Sequence, residues 1–298
     1  MKIASNKLDF KIIIGTANFG SKYGTEKLSK VFPYSDLEII FDDIRKNPNI
    51  FIDTASAYIN SELLIGKIAP FSLEKRIMTK ITINPHDTFF SVVGNIEKSL
   101  ENVKQNKLFS VLIHNASFIN FTNASEIIRG LQHCQDIGIT NSIGVSCYDA
   151  SEIINIKKRF SLFTNFQLPE NVVDRRNFKN QNLIDLKIDN NEIYLRSVFL
   201  QGTLLSELNQ LPNCLYPSKK IFENLEIFCK ENNISKLKYC LDYARSIGWN
   251  SGMVFGIQNF NQYKEILKEL ERPITLHNFP TEVLDTVSVD PRNWTYEE

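Results

Sequence analysis

The chain has no excess of charge of either sign: 34 Lys and Arg stand against 34 Asp and Glu in 298 residues. With no net field, nothing in the composition calls for nucleic acid or an anionic membrane as partner. Long apolar runs are missing too. A spanning helix needs about 20 such residues, and the N-terminal FKIIIG is only strand-length. The cysteines do not pair: Cys134, Cys147, Cys214, Cys229 and Cys240 are odd in number and form neither C-x-x-C nor a zinc-like spacing. They read as free thiols of a reducing compartment, so a cytoplasmic location is expected. There is also no G-x-G-x-x-G, the turn with which an open, doubly wound sheet usually holds a dinucleotide.

What is present alternates. Short apolar runs fall at Phe10–Ala17, from Phe51, and at Lys75–Ile83, Leu108–His114, Ser142–Ser146, Leu162–Leu168, Glu192–Phe199 and Gly252–Ile257. None is clearly amphipathic in period two, as expected of parallel strands buried on both faces. Helical spacing fills the intervals: Ser35 as cap to Arg45, Ser61–Lys67, Thr88–Val103, Ala124–Ile137, and Asp149 as cap to Lys158. A weaker helix is expected near Arg175–Leu186, and clearer ones at Lys219–Glu231, Ser235–Ser246 and Asn261–Leu270. Leu204–Ser218 holds two prolines and no periodicity and reads as a long loop, and the tail from Pro273 as packing across one end. Eight strands alternating with helices predict a (β/α)8 TIM barrel, one α/β domain over residues 1–298.

Such barrels carry their chemistry at the C-terminal ends of the strands. Here those ends offer Asp53, Lys80 and His114, with Tyr58 five residues beyond Asp53. Each has a plainer reading alone: Asp53 as a helix cap, Tyr58 as packing, Lys80 as a snorkelling cation, His114 as a satisfied core imidazole. Four complementary groups on three consecutive strand ends are a stronger signal than any one. A metal-dependent barrel hydrolase or isomerase would need several His, Asp or Glu at strand ends, and only Asp53 and His114 stand there, so no metal is expected.

The segment FIDTASAYINSELLIGK (Phe51–Lys67) resembles the signature of the aldo/keto reductase family. The likeness continues through GTANFG (Gly15–Gly20), Thr79-Lys80, Ile113-His114, Gly144-Val145-Ser146, Gln167 with Asn171, Gly202 before Leu204-Leu205, and GIQNFNQYKEI. It implies reduction of an aldehyde or ketone, a small-molecule carbonyl, with NADPH as cofactor and NADH as a possible substitute, bound without a Gly-rich turn. It also implies the roles. Tyr58 is the general acid, Lys80 eases its proton transfer, Asp53 holds Lys80, and His114 polarises the carbonyl. Ser146 and Gln167 match positions that bond the nicotinamide carboxamide. Gly15, Thr16 and Ala17 match the end of the first strand, under the nicotinamide ribose. Ser197, Leu200 and Gly202 match the pyrophosphate side, and Gln262 lies in the segment that meets the adenosine end. Asn171 reads as structural, and Glu62 as a brace for the loop or, more simply, as the first-turn anion of its helix.

Three positions depart from the family pattern. Cys147 replaces a common Asn and removes an amide contact. Arg196 stands where many members stack an aromatic ring on the nicotinamide. A guanidinium can stack, but it disfavours the oxidised, cationic ring, and it would equally hold an anionic substrate or phosphate. The segment Ile257–Gln262 carries no Arg or Lys of the kind that holds a 2′-phosphate, Lys264 being the nearest base. RSVFLQGTLL with QLPENVVDRR resembles a bacterial branch of the family associated with sugar metabolism. Arg175 and Arg176 read first as solvated helix-start residues. A cofactor-bound regulatory or interaction protein on the same barrel is the alternative function.

Overall fold

The computed structural model describes residues 10–20, 32–275 and 289–294. Eight parallel strands close into a barrel in sequence order: β1 (Lys11–Gly15), β2 (Ile50–Asp53), β3 (Ile77–Ile81), β4 (Leu108–Ile113), β5 (Thr140–Ser146), β6 (Asn165–Pro169), β7 (Glu192–Arg196) and β8 (Gly252–Gly256). β8 returns to β1, with Gly256 opposite Gly15. The nine helices among the described residues are α1 (Tyr34–Lys46), α2 (Ser61–Ile68), α3 (Phe89–Val103), α4 (Ala124–Asp136), α5 (Ala150–Arg159), α6 (Gln181–Ile188), α7 (Lys219–Glu231), α8 (Lys236–Ser246) and α9 (Phe260–Glu271). This is the expected (β/α)8 barrel.

Local chemistry sets the helix starts. Thr88 and Ser91 form a reciprocal capping box at α3. Asp149 accepts from the backbone N–H groups of Ser151 and Glu152 at α5, and Asn259 accepts from Gln262 N at α9. Two starts differ from expectation. α1 begins at Tyr34, one residue before Ser35, with Pro33 as its flanking residue. α6 begins at Gln181, capped by Asn180, so Arg175 and Arg176 precede it in a loop. Leu204–Ser218 contains two short 3-10 turns, Leu208–Gln210 and Asn213–Ser218. Such turns have no apolar repeat to read. Residues 21–31, including Tyr23, lie outside the described residues, as do residues 276–288 and 295–298 of the tail.

Two apolar layers hold the barrel. The larger lies between strands and helices, where Leu37, Ile40, Phe41 and Ile44 of α1 meet the outward faces of the strands. The smaller fills the barrel: Ile13, Met78, Leu112, Tyr194 and Val254, with Phe51 and Phe109 against them. Side chains alternate along a strand, so two residues beyond these plugs the same inward face reaches the C-terminal rim. Phe51 is followed by Asp53, Met78 by Lys80, Leu112 by His114 and Tyr194 by Arg196. The packed plug becomes the floor on which the polar groups stand. At β5 the inward face requires glycine: a Cβ on Gly144 would sit 2.1 Å from the Asn165 carbonyl oxygen.

Candidate active site

At the C-terminal rim a cleft of about 250 Å3 is lined by residues from β1, β2, β3, β5, β6, β7 and β8, with Tyr58 and His114 from the loops. Asp53 and Lys80 lie at its floor, both buried. Lys80 Nζ donates to Asp53 Oδ1 at 2.6 Å and Oδ2 at 2.5 Å, and to the Thr54 carbonyl at 3.1 Å. The ammonium lies 5.3 Å from the centre of the Tyr58 ring. That ring meets His114 edge to face, centroids 6.1 Å apart. The four residues expected from the sequence therefore converge.

The loop that carries Tyr58 is pinned. Thr16 Oγ1 donates to the Asp53 carbonyl at 3.0 Å and shares a 2.7 Å hydrogen bond with Ser61 Oγ, which lies 3.0 Å from Thr54 Oγ1. Ser56 N donates to the Lys80 carbonyl. Glu62 does more than complement its helix. It is buried, and its carboxylate accepts from Thr79 Oγ1 at 2.6 Å and Asn102 Nδ2 at 3.2 Å, tying α2 to β3 and α3. It is the first-turn anion of α2, as expected, and a brace for that helix as well.

Electrostatics set the protonation states. Burial, then the Asp53 charge, raise the Tyr58 phenol above its ordinary value, with Arg196 opposing. Tyr58 is thus a protonated acid at neutral pH. Burial is the largest cause of the rise. Burial, then Lys80, push His114 down to about 4, so its imidazole is neutral and carries one N–H to donate.

Most of the residues expected to hold a cofactor line this cleft: Gly15, Thr16, Ala17, Ser146, Gln167, Arg196, Ser197, Gly202 and Gln262. Leu200 does not. It is buried with a left-handed φ of 45° and packs into the apolar layer. Ser197 and Gln201 are also left-handed, at 62° and 54°. Backbone strain of this kind concentrates at functional sites. Asn171 is structural, as expected. It accepts from Val173 N and Asp174 N and donates to the Ser197 carbonyl at 3.1 Å, bracing this loop. Arg175 and Arg176 lie away from the cleft. Arg176 pairs with Asp174 and Asp290, and Arg175 stacks on Tyr243. Tyr148 lines the cleft without having been singled out in the sequence, since it carries no charge and ends no apolar run, and Gln258, read there only as part of the segment Ile257–Gln262 that lacks a base, lines it too. Phe19 and Phe118 are buried core residues and do not line the cleft.

Gln167 tests whether a nicotinamide carboxamide fits. Its Nε2 donates to Asp53 Oδ1 at 2.6 Å, which fixes the amide, while its Oε1 is buried at the cleft with no partner. An orphaned acceptor beside a tethered amide is the complement of a carboxamide NH2, so the residues present fit the group. At the far end of the cleft, Gln262 Oε1 accepts from Gln258 N at 2.7 Å at the start of α9. The Lys and Arg side chains among the described residues of the wall are Lys80 and Arg196. Among the described residues no three His, Cys, Asp or Glu side chains gather at one point, and no helix is long and apolar enough to cross a membrane.

The aldo/keto reductase family model matches residues 11–281. Among solved structures, an aldo-keto reductase from Bacillus halodurans in its holo form is 16% identical with a TM-score of 0.70, over 89% of this chain and 88% of that one. A thermostable aldo-keto reductase solved with the inhibitor epalrestat is 19% identical with a TM-score of 0.66, over 90% of this chain and 91% of that one. A putative aldo-keto reductase from Pseudomonas aeruginosa is 14% identical with a TM-score of 0.63, over 88% and 89%. At such identities the likeness speaks for the fold alone. No curated protein sequence matches the chain. Because the family model runs from β1 to beyond α9, on the barrel that these enzymes share, the chain belongs to the aldo/keto reductase family.

Proposed function

We propose that the chain reduces the carbonyl group of a small aldehyde or ketone to an alcohol, with Tyr58 as general acid and NADPH or NADH as reductant. Family membership supports the coarser statement, an oxidoreductase of carbonyl compounds. The finer reading rests on one observation, the convergence of Asp53, Tyr58, Lys80 and His114 on a single cleft. The same reading has residues 1–298 working as one barrel domain, in the cytoplasm, on a free small molecule.

Bound nicotinamide would supply hydride to the carbonyl carbon. The chain's own residues do the rest. Gln167 Oε1 and Ser146 would hold the carboxamide. Gly15, Thr16 and Ala17 would meet the ribose, and Ser197 and Gly202 the pyrophosphate side. The start of α9 at Gln262 would face the adenosine end with the positive end of the helix dipole. His114, neutral, donates its N–H to the carbonyl oxygen, a contact that strengthens as negative charge develops there and is worth about 2.7–4 kcal/mol in comparable sites. Tyr58 keeps its proton until that oxygen becomes basic enough to take it, and its raised pKa ensures that the proton is present. The phenolate left behind is stabilised by the Lys80 ammonium, which Asp53 holds charged and in place. Arg196 adds positive charge beside the site, which would favour binding of the neutral, reduced ring over the oxidised, cationic one.

The test is a fluorescence titration of NADPH and NADH, followed by nicotinamide absorbance decay with a panel of aldehydes. Binding with turnover supports the reductase. Tight binding with no turnover of any carbonyl would move the assignment to a cofactor-bound regulatory protein. Failure to bind either cofactor would sink both.

A further inference from the structure

Arg196 is an anomaly of charge. It ends β7, is half-buried, and lines the cleft. Its polar contacts are to neutral acceptors: Nη2 donates to the Cys147 carbonyl at 3.2 Å, and Nη1 meets Ser197 Oγ at 3.5 Å. Its Nε is buried with no partner. Among the described residues no carboxylate lies within 4.0 Å of it. The chain treats the neighbouring arginines differently. Arg176 is paired with Asp174 and Asp290, and Arg292 with Asp290. Asp53 is the one acidic residue among the described lining of the cleft, and its two oxygens are taken by Lys80 and Gln167.

Leaving a partly buried guanidinium without a counter-charge is costly. The fold nevertheless holds it in position. The guanidinium carbon lies 4.6 Å from the centre of the Tyr148 ring, and that ring is covered by Arg292 at 3.7 Å. Tyr148 is itself fixed through its backbone N–H, which donates to Glu152 at 2.6 Å. With Nη1 and Nη2 each spending one N–H on a neutral acceptor, the stacked guanidinium keeps its charge and a second N–H on each nitrogen for a planar or tetrahedral anion. The charge is felt at the reacting groups as well, since Arg196 lowers the pKa of both Tyr58 and His114. An anion on Arg196 would therefore sit close to the carbonyl that these two residues address.

We propose that Arg196 is the anchor for an anionic group of the substrate, so that the chain acts on carbonyl compounds bearing a carboxylate or phosphate near the reacting carbon. This rests on the reductase reading of the same cleft. Carboxylate and phosphate share the chemistry, and separate arms of the experiment distinguish them.

The experiment compares para-carboxybenzaldehyde and para-formylphenyl phosphate with the neutral methyl ester of the former, in wild type, Arg196→Gln and Arg196→Lys. The readout is the ratio of kcat/KM, anionic over neutral, within each protein. A charge-assisted pair predicts a ratio of about 10 or more in wild type, collapse toward about 1 in Arg196→Gln, and partial return in Arg196→Lys. A ratio near 1 in wild type overturns the proposal with no variant needed. A second readout is free of catalysis: calorimetric titration of benzoate, phenyl phosphate and NADPH into wild type and Arg196→Gln. Loss of anion binding by about tenfold, with NADPH affinity changed far less, supports the proposal. An equal loss for NADPH assigns the guanidinium to the cofactor's own phosphates and overturns it. If wild type turns over neither aldehyde yet binds benzoate or phenyl phosphate through Arg196, the anchor stands and the reductase reading fails.

Discussion

Changing Asp53 to Asn removes one charge and no atoms of size, so its effect isolates the ion pair. In the native site, Asp53 and Lys80 side chains are 4% and 3% exposed. Three donor contacts converge on the Asp53 carboxylate, two from Lys80 and one from Gln167. An Asn offers one acceptor oxygen in their place and turns an NH2 toward an ammonium. Breaking a buried pair by removing one partner typically costs about 3–5 kcal/mol. For a chain near this length that is a fall in Tm of about 6–10 °C, at roughly 2 °C per kcal/mol. Asp53→Asn/Lys80→Met removes both charges, and the account expects it to recover at least about 2 kcal/mol of that loss. Both variants lose carbonyl reduction, so stability and activity part company in the double variant. Thermal and urea unfolding of the three proteins measure this. An Asp53→Asn variant that melts within about 1 °C of wild type would refute the buried pair, as would a double variant no more stable than the single.

Three further outcomes are expected. His114, pushed down to about 4, stays neutral from pH 8 to about 5; its NMR titration midpoint lies near 4, and a midpoint near the ordinary 6.5 contradicts its burial. Glu170, buried between Tyr243 and the backbone of Asn177, is raised to about 8. A raised carboxyl contributes stability fully present below its ordinary pKa of about 4.3 and lost as pH rises through about 8, so Glu170→Gln flattens the decline in unfolding free energy over that window, and parallel curves would count against it. Gln262→Arg places a base at the start of α9, where the described cleft wall has none; NADPH affinity should rise relative to NADH by about tenfold, and an unchanged ratio in a fluorescence titration removes Gln262 from the adenosine end.

Three of the four groups proposed for catalysis, Asp53, Lys80 and His114, were legible in the sequence because each interrupts or ends an apolar run; Tyr58 was legible only from its place in the family signature, five residues beyond Asp53. A carboxylate after FI, a lysine inside IMTKITI and a histidine after VLI are conspicuous where burial is costly. Strand parity does the remainder: inward residues such as Met78 and Leu112 put Lys80 and His114 on the same inward face. What escaped the sequence depends on partners far along the chain. Glu62 looks like a helix-start anion until Thr79 and Asn102 are found against it. Arg176 looks solvated until Asp290, 114 residues away, completes its pair. Leu200 matched a binding segment by order, yet its left-handed backbone sends it into the core and leaves Ser197 and Gly202 at the cleft. The unpaired state of Arg196 is likewise a fact about what is not nearby, which no local pattern records.

The central claim is hydride transfer to a carbonyl with Tyr58 as acid. Its most direct test incubates wild type and Tyr58→Phe with NADPH deuterated at the reactive carbon and para-carboxybenzaldehyde, then analyses the alcohol. The account predicts deuterium on the carbinol carbon with wild type, and at least about 100-fold less product from Tyr58→Phe at saturating bound cofactor. Alcohol without deuterium, or equal product from both proteins, would contradict it.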